Sequence, residues 1–174
     1  MKKTKTYEKF PLWIVFLSNI LSLSIYVLGV YILLGFGIFV VILYLLYCLW
    51  MEMNVLRRSC VGCYYYGKVC GFGKGKICAM FFKKGSSKIF IKRKISPIDI
   101  LPDFLVFIIP IIGGVILSVL NFNWTIVGAM IVLLIISFAG NAFVRGSFAC
   151  KYCKQREIGC PAQKLFEKKN HNKK

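Results

Sequence analysis

Two stretches of this chain contain no Asp, Glu, Lys or Arg: Pro11–Met51 and Phe104–Val144, each 41 residues long. Soluble helices seldom stay uncharged over such a length, so an ordinary water-soluble bundle is excluded. Neither stretch offers a charged side chain to a permeant ion, which argues against ion or proton transport. The apolar run after Lys2, Lys3, Lys5 and Lys9 far exceeds a leader's core. That run is read as a retained anchor. Acidic residues are few, six against 24 Lys and Arg, which leaves a net charge of +18.

What is present is apolar: 58% hydrophobic residues and a mean hydropathy of +0.70. A bilayer core is crossed by about 20 apolar residues. A single 41-residue helix would be about 61 Å long, twice the hydrocarbon thickness. Each uncharged stretch therefore reads as two helices and a tight turn. All 24 basic residues lie before, between and after these stretches. Helical hairpins put those three segments on one side, and basic residues mark the cytosolic side. The expected fold class is thus all-α: an integral protein of the cell membrane, with four transmembrane helices as two parallel-repeat hairpins, a cysteine-rich cytosolic module and both termini in the cytoplasm. The segments are residues 1–10 (basic tail), 11–51 (hairpin), 52–96 (Cys/Lys-rich loop), 97–145 (hairpin) and 146–174 (Cys/Lys-rich tail). A parallel repeat lacks the inverted symmetry of many alternating-access carriers.

The helices are expected at 11–28, 32–51, 97–120 and 125–143, and the first ten residues as a disordered tail near anionic head groups. Asn121-Phe122-Asn123-Trp124 is a turn with an interfacial aromatic. The uncharged stretches are offset by 93 residues. That shift places the first turn at Leu28-Gly29-Val30-Tyr31. Ser18 and Ser22, with Gly113, Gly114, Gly128, Ala129, Ala139 and Gly140, are small residues that allow close helix approach.

Ser96-Pro97-Ile98-Asp99 has the form of a helix start, with Ser96 as N-cap, Pro97 at the first position and Asp99 as the capping-box acid. Asp99 and Asp103 share a helix face. They suit capping and pairing with Lys92, Arg93 and Lys94; a hard-cation site is the other reading. The segment Ser96–Phe104, SPIDILPDF, resembles the SPIDLIPD motif of a small membrane-associated domain family of unknown function. The resemblance implies a helix entering the membrane and no activity.

Cysteines supply the only repeated chemistry. Cys60, Cys63 and Cys70 form a C-x2-C-x6-C pattern that returns at Cys150, Cys153 and Cys160, and Cys78 adds a seventh. Cys48 lies within a helix, where a thiol acts as a small apolar group. Cytosolic thiols are normally reduced, so the seven are candidate metal ligands. C-x2-C aims two thiolates at one point. Two ligand sets arise: Cys60, Cys63, Cys70 and Cys78 within the loop, or Cys60 and Cys63 meeting Cys150 and Cys153 across the halves. Zinc is the first ion considered. An iron–sulfur cluster is second, given the Cys160-Pro161 ending, and a dithiol redox pair third.

The remaining signals are weaker. Gly71–Lys76 is glycine- and lysine-rich but lacks Walker A spacing. Residues 81–94 mix basic and aromatic side chains and read as a short hairpin on the membrane surface. Its expected partner is anionic lipid, with nucleic acid the weaker alternative. His171 sits in a Lys/Asn-rich tail and reads as solvated. The functional expectation is a cysteine-held metal module with a structural or partner-docking role; the alternative is a membrane redox protein. No catalytic residue is identified.

Overall fold

The computed structural model describes residues 6–93 and 95–163 of the chain. Lys94, His171 and the first five residues, on which parts of the expectations fall, lie outside this range. Helix α1 spans Leu12–Leu33 and α2 spans Ile38–Val55. Two short helices follow, α3 (Lys74–Phe81) and α4 (Ser87–Lys92). Helix α5 covers Pro97–Leu120, α6 Trp124–Ile135, α7 Asn141–Phe143 and α8 Lys154–Gly159. Among the described residues there is no sheet; one isolated parallel bridge joins Tyr7 and Cys153.

Short π-wound turns extend the long helices. They occupy Leu56–Cys60 after α2, and Ile136–Gly140 and Val144–Cys150 on either side of α7. Four continuous helices result, Leu12–Phe36, Ile38–Cys60, Ile98–Leu120 and Trp124–Cys150. Each is long and apolar enough to cross a membrane. The second and fourth therefore run past the expected ends at Met51 and Phe143. Glu52, Arg57, Arg58 and Arg145 ride on the extra turns. The uncharged stretches end where these charges begin, but the backbone keeps winding: no Pro interrupts it there, and Gly146 is carried within the last turn.

The first turn lies at Leu34–Gly37, not at Leu28–Tyr31. Gly37 has φ 100°, which an L side chain rarely adopts, so the reversal sits on this glycine. Gly29 serves another purpose. A Cβ there would stand 2.3 Å from the Tyr44 hydroxyl, so its missing side chain lets α1 and α2 meet. The second turn is where it was expected: α5 stops at Leu120 and the Asn123 side chain caps α6 by accepting the Thr125 N–H at 2.9 Å.

The bundle packs α1 against α2, α5 and α6. Its core includes Ile25, Ile32, Leu33, Val41, Tyr44, Met51, Val106 and Leu133. Ser18 is buried, and the Ser22 hydroxyl donates back to the Ser18 carbonyl at 3.2 Å. Gly113, Gly114 and Gly140 each lie against a side chain of α1 or the turn that follows it, as small contact residues should. Gly128 faces open space. Outward, large apolar side chains stay bare: Phe39 is 70% exposed and Val119 is 80% exposed. Such a surface is suited to lipid rather than water.

Two prolines, Pro102 and Pro110, lie inside α5. Proline has no N–H, so Pro110 cannot donate to the carbonyl four residues back, at Val106. The buried Tyr44 hydroxyl donates to that carbonyl instead, at 2.9 Å. Tyr47 similarly donates to the Pro102 carbonyl at 2.8 Å. Tyr44→Phe should leave the Val106 carbonyl without its donor, at a cost of about 1–3 kcal/mol. Thermal unfolding in detergent measures it; an unchanged midpoint would mean α5 tolerates its proline unaided.

Candidate functional site: a thiol-rich module

The π-wound turn after α2 ends on Cys60, and the one after α7 ends on Cys150. From each cysteine the backbone takes the same course. The Cys63 N–H donates to the Cys60 carbonyl at 3.3 Å, and the Cys153 N–H to the Cys150 carbonyl at 3.3 Å. One turn on, Tyr66 N–H donates to the Cys63 carbonyl and Arg156 N–H to the Cys153 carbonyl, both at 3.1 Å. The repeat legible in the cysteine spacing is thus also a repeat of backbone hydrogen bonds. Backbone N–H groups also point at the second sulfur of each pair: that of Tyr65 at Cys63, those of Gln155 and Arg156 at Cys153.

Three segments far apart in sequence build the module. Tyr7 N–H donates to the Tyr152 carbonyl at 3.0 Å, and Phe10 N–H to the Val69 carbonyl at 3.1 Å. The buried Gln155 accepts the Tyr64 N–H at 2.7 Å and donates to the Gly159 carbonyl at 3.0 Å. Tyr65, 2% exposed, joins all three segments. Its hydroxyl donates to the Tyr7 carbonyl and accepts the Lys154 N–H at 3.0 Å. Phe10 and Ile14 pack on Tyr65 to form a small second core, with Cys63, Cys70 and Cys153 at its edge. Residues 6–10 are therefore ordered, not a loose tail: Phe10 is 4% exposed because its ring is apolar and finds this core.

All eight cysteines are free thiols. Seven gather in the module. Cys60 interacts electrostatically with Cys63, Cys70 and Cys78. Cys63 also faces Cys160, and Cys153 faces Cys63 and Cys150. Cys63 is thus the thiol shared by the loop group and the tail group. Cys78 is fully buried and its thiol points to the Leu56 carbonyl at 3.5 Å. Burial raises the Cys63 and Cys78 thiols above the ordinary value of 9.0, and Cys153 to about 12. These groups are neutral at physiological pH.

Among the described residues, no three His, Cys, Asp or Glu side chains form a group placed to hold a metal ion. Neither expected ligand set, Cys60/Cys63/Cys70/Cys78 or Cys60/Cys63/Cys150/Cys153, stands as a cage. By chemistry the thiols suit zinc or an iron–sulfur cluster; by geometry they are gathered but do not converge.

The raised thiols give a pH prediction. An unfolded thiol ionises near pH 9, whereas Cys153 stays protonated until about pH 12. The folded module therefore binds more protons between these values, and its stability should fall as pH rises through that window. Comparing unfolding at pH 8 and pH 10.5 tests this, with Cys153→Ala expected to flatten the decline.

Other sequence candidates have structural partners. The Lys74 ammonium of the glycine-rich stretch meets Glu52 at 2.5 Å rather than standing free for a phosphate. Glu52 also accepts the Tyr26 hydroxyl at 2.6 Å, and Arg145 interacts with the same group. Glu52→Ala should cost about 1 kcal/mol, since this pair is only partly shielded from water. Raised salt should shrink the difference in unfolding midpoint.

Asp99 accepts the Ser96 N–H at 3.1 Å and pairs with Arg58 at 3.3 Å and Arg93 at 3.4 Å. It caps a helix and ties it to α2's end. Asp103 lies near Arg145 and Lys74. Residues 81–93 are not a hairpin: α3 ends at Phe81 and α4 follows Ser86. Ile89, Phe90 and Ile91 run consecutively, without the alternation a surface strand needs.

Sequence reasoning missed Tyr65, Gln155, Tyr7 and Glu52. The run Tyr64-Tyr65-Tyr66 between two cysteines was the available signal, since large aromatics there predict a small core. Compared with known protein families, curated proteins and solved structures, the chain matches none.

Proposed function

We propose that this is a multi-pass membrane protein whose thiol-rich module, on the cytosolic side, ties two helical hairpins into one unit and serves a structural or partner-docking role. The observation that carries the reading is Tyr65, which joins the N-terminal segment, the middle loop and the C-terminal segment at one end of four long apolar helices. The described basic residues fall in the segments at that same end, and the positive-inside rule assigns it to the cytosol. Zinc, a borderline-soft cation that takes four ligands, is the first ion these thiol donors suit by chemistry. Bound zinc would supply cross-links and no reaction. The alternative is a membrane redox protein with an iron–sulfur centre or a dithiol; burial that takes Cys153 to about 12 opposes that residue as the attacking thiolate of a dithiol.

Metal analysis of anaerobically purified protein tests the ion. Stoichiometric zinc in a colourless sample supports the reading; a brown, reducible sample supports an iron–sulfur centre. Labelling of intact cells with an impermeant maleimide tests the side. Reaction of Cys150, an exposed thiol, from outside would overturn the cytosolic assignment.

A further inference from the structure

Helix α3 lies alongside the end of the second long helix. Lys74 at its start reaches Glu52, and the Cys78 thiol reaches the Leu56 carbonyl. Its Gly75 and Cys78 face inward. Its other face is bare: Ile77 is 44% exposed, Met80 80% and Phe81 65%. These positions are i, i+3 and i+4, so they form one apolar stripe. Helix α4 is moored nearby, through Gly85 N–H to the Val61 carbonyl at 3.0 Å, and leaves Ile89 73% exposed. Lys76, Lys83, Lys84 and Lys88 surround these side chains and are exposed. Among the described residues, the ion pairs use none of these four lysines.

We propose that α3 and α4 lie in the head-group layer as an anionic-lipid binding collar. The stripe enters the acyl boundary and the four lysines contact lipid phosphates. This rests on the membrane reading above. Depth is the first argument: α3 is fixed beside residues 52–60, the turns at which the second helix leaves the hydrocarbon. Charge is the second: lysines flanking an apolar stripe match an interface that is apolar below and anionic above. Lysine stems run along apolar surface while their ammonium groups reach the phosphates. A nucleic acid offers the charge without the apolar layer, so it leaves Ile77, Met80 and Phe81 unsatisfied.

The test uses the full chain in nanodiscs of phosphatidylcholine containing phosphatidylglycerol, with Phe81→p-benzoylphenylalanine as a photo-cross-linker. Mass spectrometry should find lipid adducts enriched several-fold in phosphatidylglycerol over its bulk share. Combined Lys83→Gln, Lys84→Gln and Lys88→Gln should return the adducts to the bulk ratio. Phe39→p-benzoylphenylalanine, facing outward from the first turn of α2, is the control for the membrane reading and should label lipid without preference. Lipid adducts at Phe39 but none at Phe81 would overturn the collar alone. Adducts of Phe81 to protein, or labelling at the bulk lipid ratio in the parent chain, would overturn it too. Absence of lipid adducts at both positions would remove the membrane reading beneath it.

Discussion

Gly75→Ala should unlatch the thiol module. The new methyl carbon would stand 2.2 Å from the Tyr65 carbonyl oxygen and 2.5 Å from that of Lys68. Both obstacles are backbone, so no side-chain rotation relieves the clash. The backbone here is held on each side: Lys68 N–H donates to the Tyr65 carbonyl at 2.9 Å, and Gly67 N–H to the Gly75 carbonyl at 3.0 Å. Room can be made only by lifting α3 from the turn beneath it. Overpacking of this kind costs about 3 kcal/mol, which is roughly a hundredfold in the open population. Cys78 reports the opening, because it is buried in the intact module. Its maleimide labelling in detergent should accelerate by that order. Labelling at the parent rate would show that α3 does not seal the thiols.

Tyr65 should give the second large effect, graded by what is removed. Tyr65→Phe keeps the ring but withdraws one donor from the Tyr7 carbonyl and one acceptor from the Lys154 N–H. The expected loss is about 1–3 kcal/mol. Tyr65→Ala also empties a fully buried site, and about 3–5 kcal/mol is expected. Because one hydroxyl serves both chain ends, hydrogen exchange should quicken at the Tyr7 and Lys154 amides together. Loosening at only one of them would show that the segments are held separately.

Much of the architecture was readable because membrane helices are written in composition. Two uncharged stretches require two hairpins, and Asn123 marks one turn by its capping chemistry. The other turn was misplaced because Gly29 and Gly37 look alike in sequence. One exists for a close contact with Tyr44, the other for a positive φ, and only coordinates separate these uses. The gathering of seven thiols could be anticipated from the repeated C-x2-C. How they are gathered could not, since it depends on Tyr65, Gln155 and Phe10, which carry no spacing signature. Nor does spacing reveal that, among the described residues, no three of the sulfurs are grouped to hold an ion. The role of Asp99 was legible because helix starts follow local rules, whereas the Lys74–Glu52 pair joins the start of α3 to α2 across 22 residues and obeys none.

The bridge between Tyr7 and Cys153 has a consequence for biosynthesis. A ribosome releases Tyr7 before, and Cys153 after, all four long helices. The Tyr7 N–H must therefore wait for the Tyr152 carbonyl while both hairpins are threaded into place. Closure of this contact is the event that reports completed assembly, and a chain stalled after its first hairpin would display Phe10 and Tyr65 without their C-terminal neighbours to any quality-control factor that reads exposed aromatic surface.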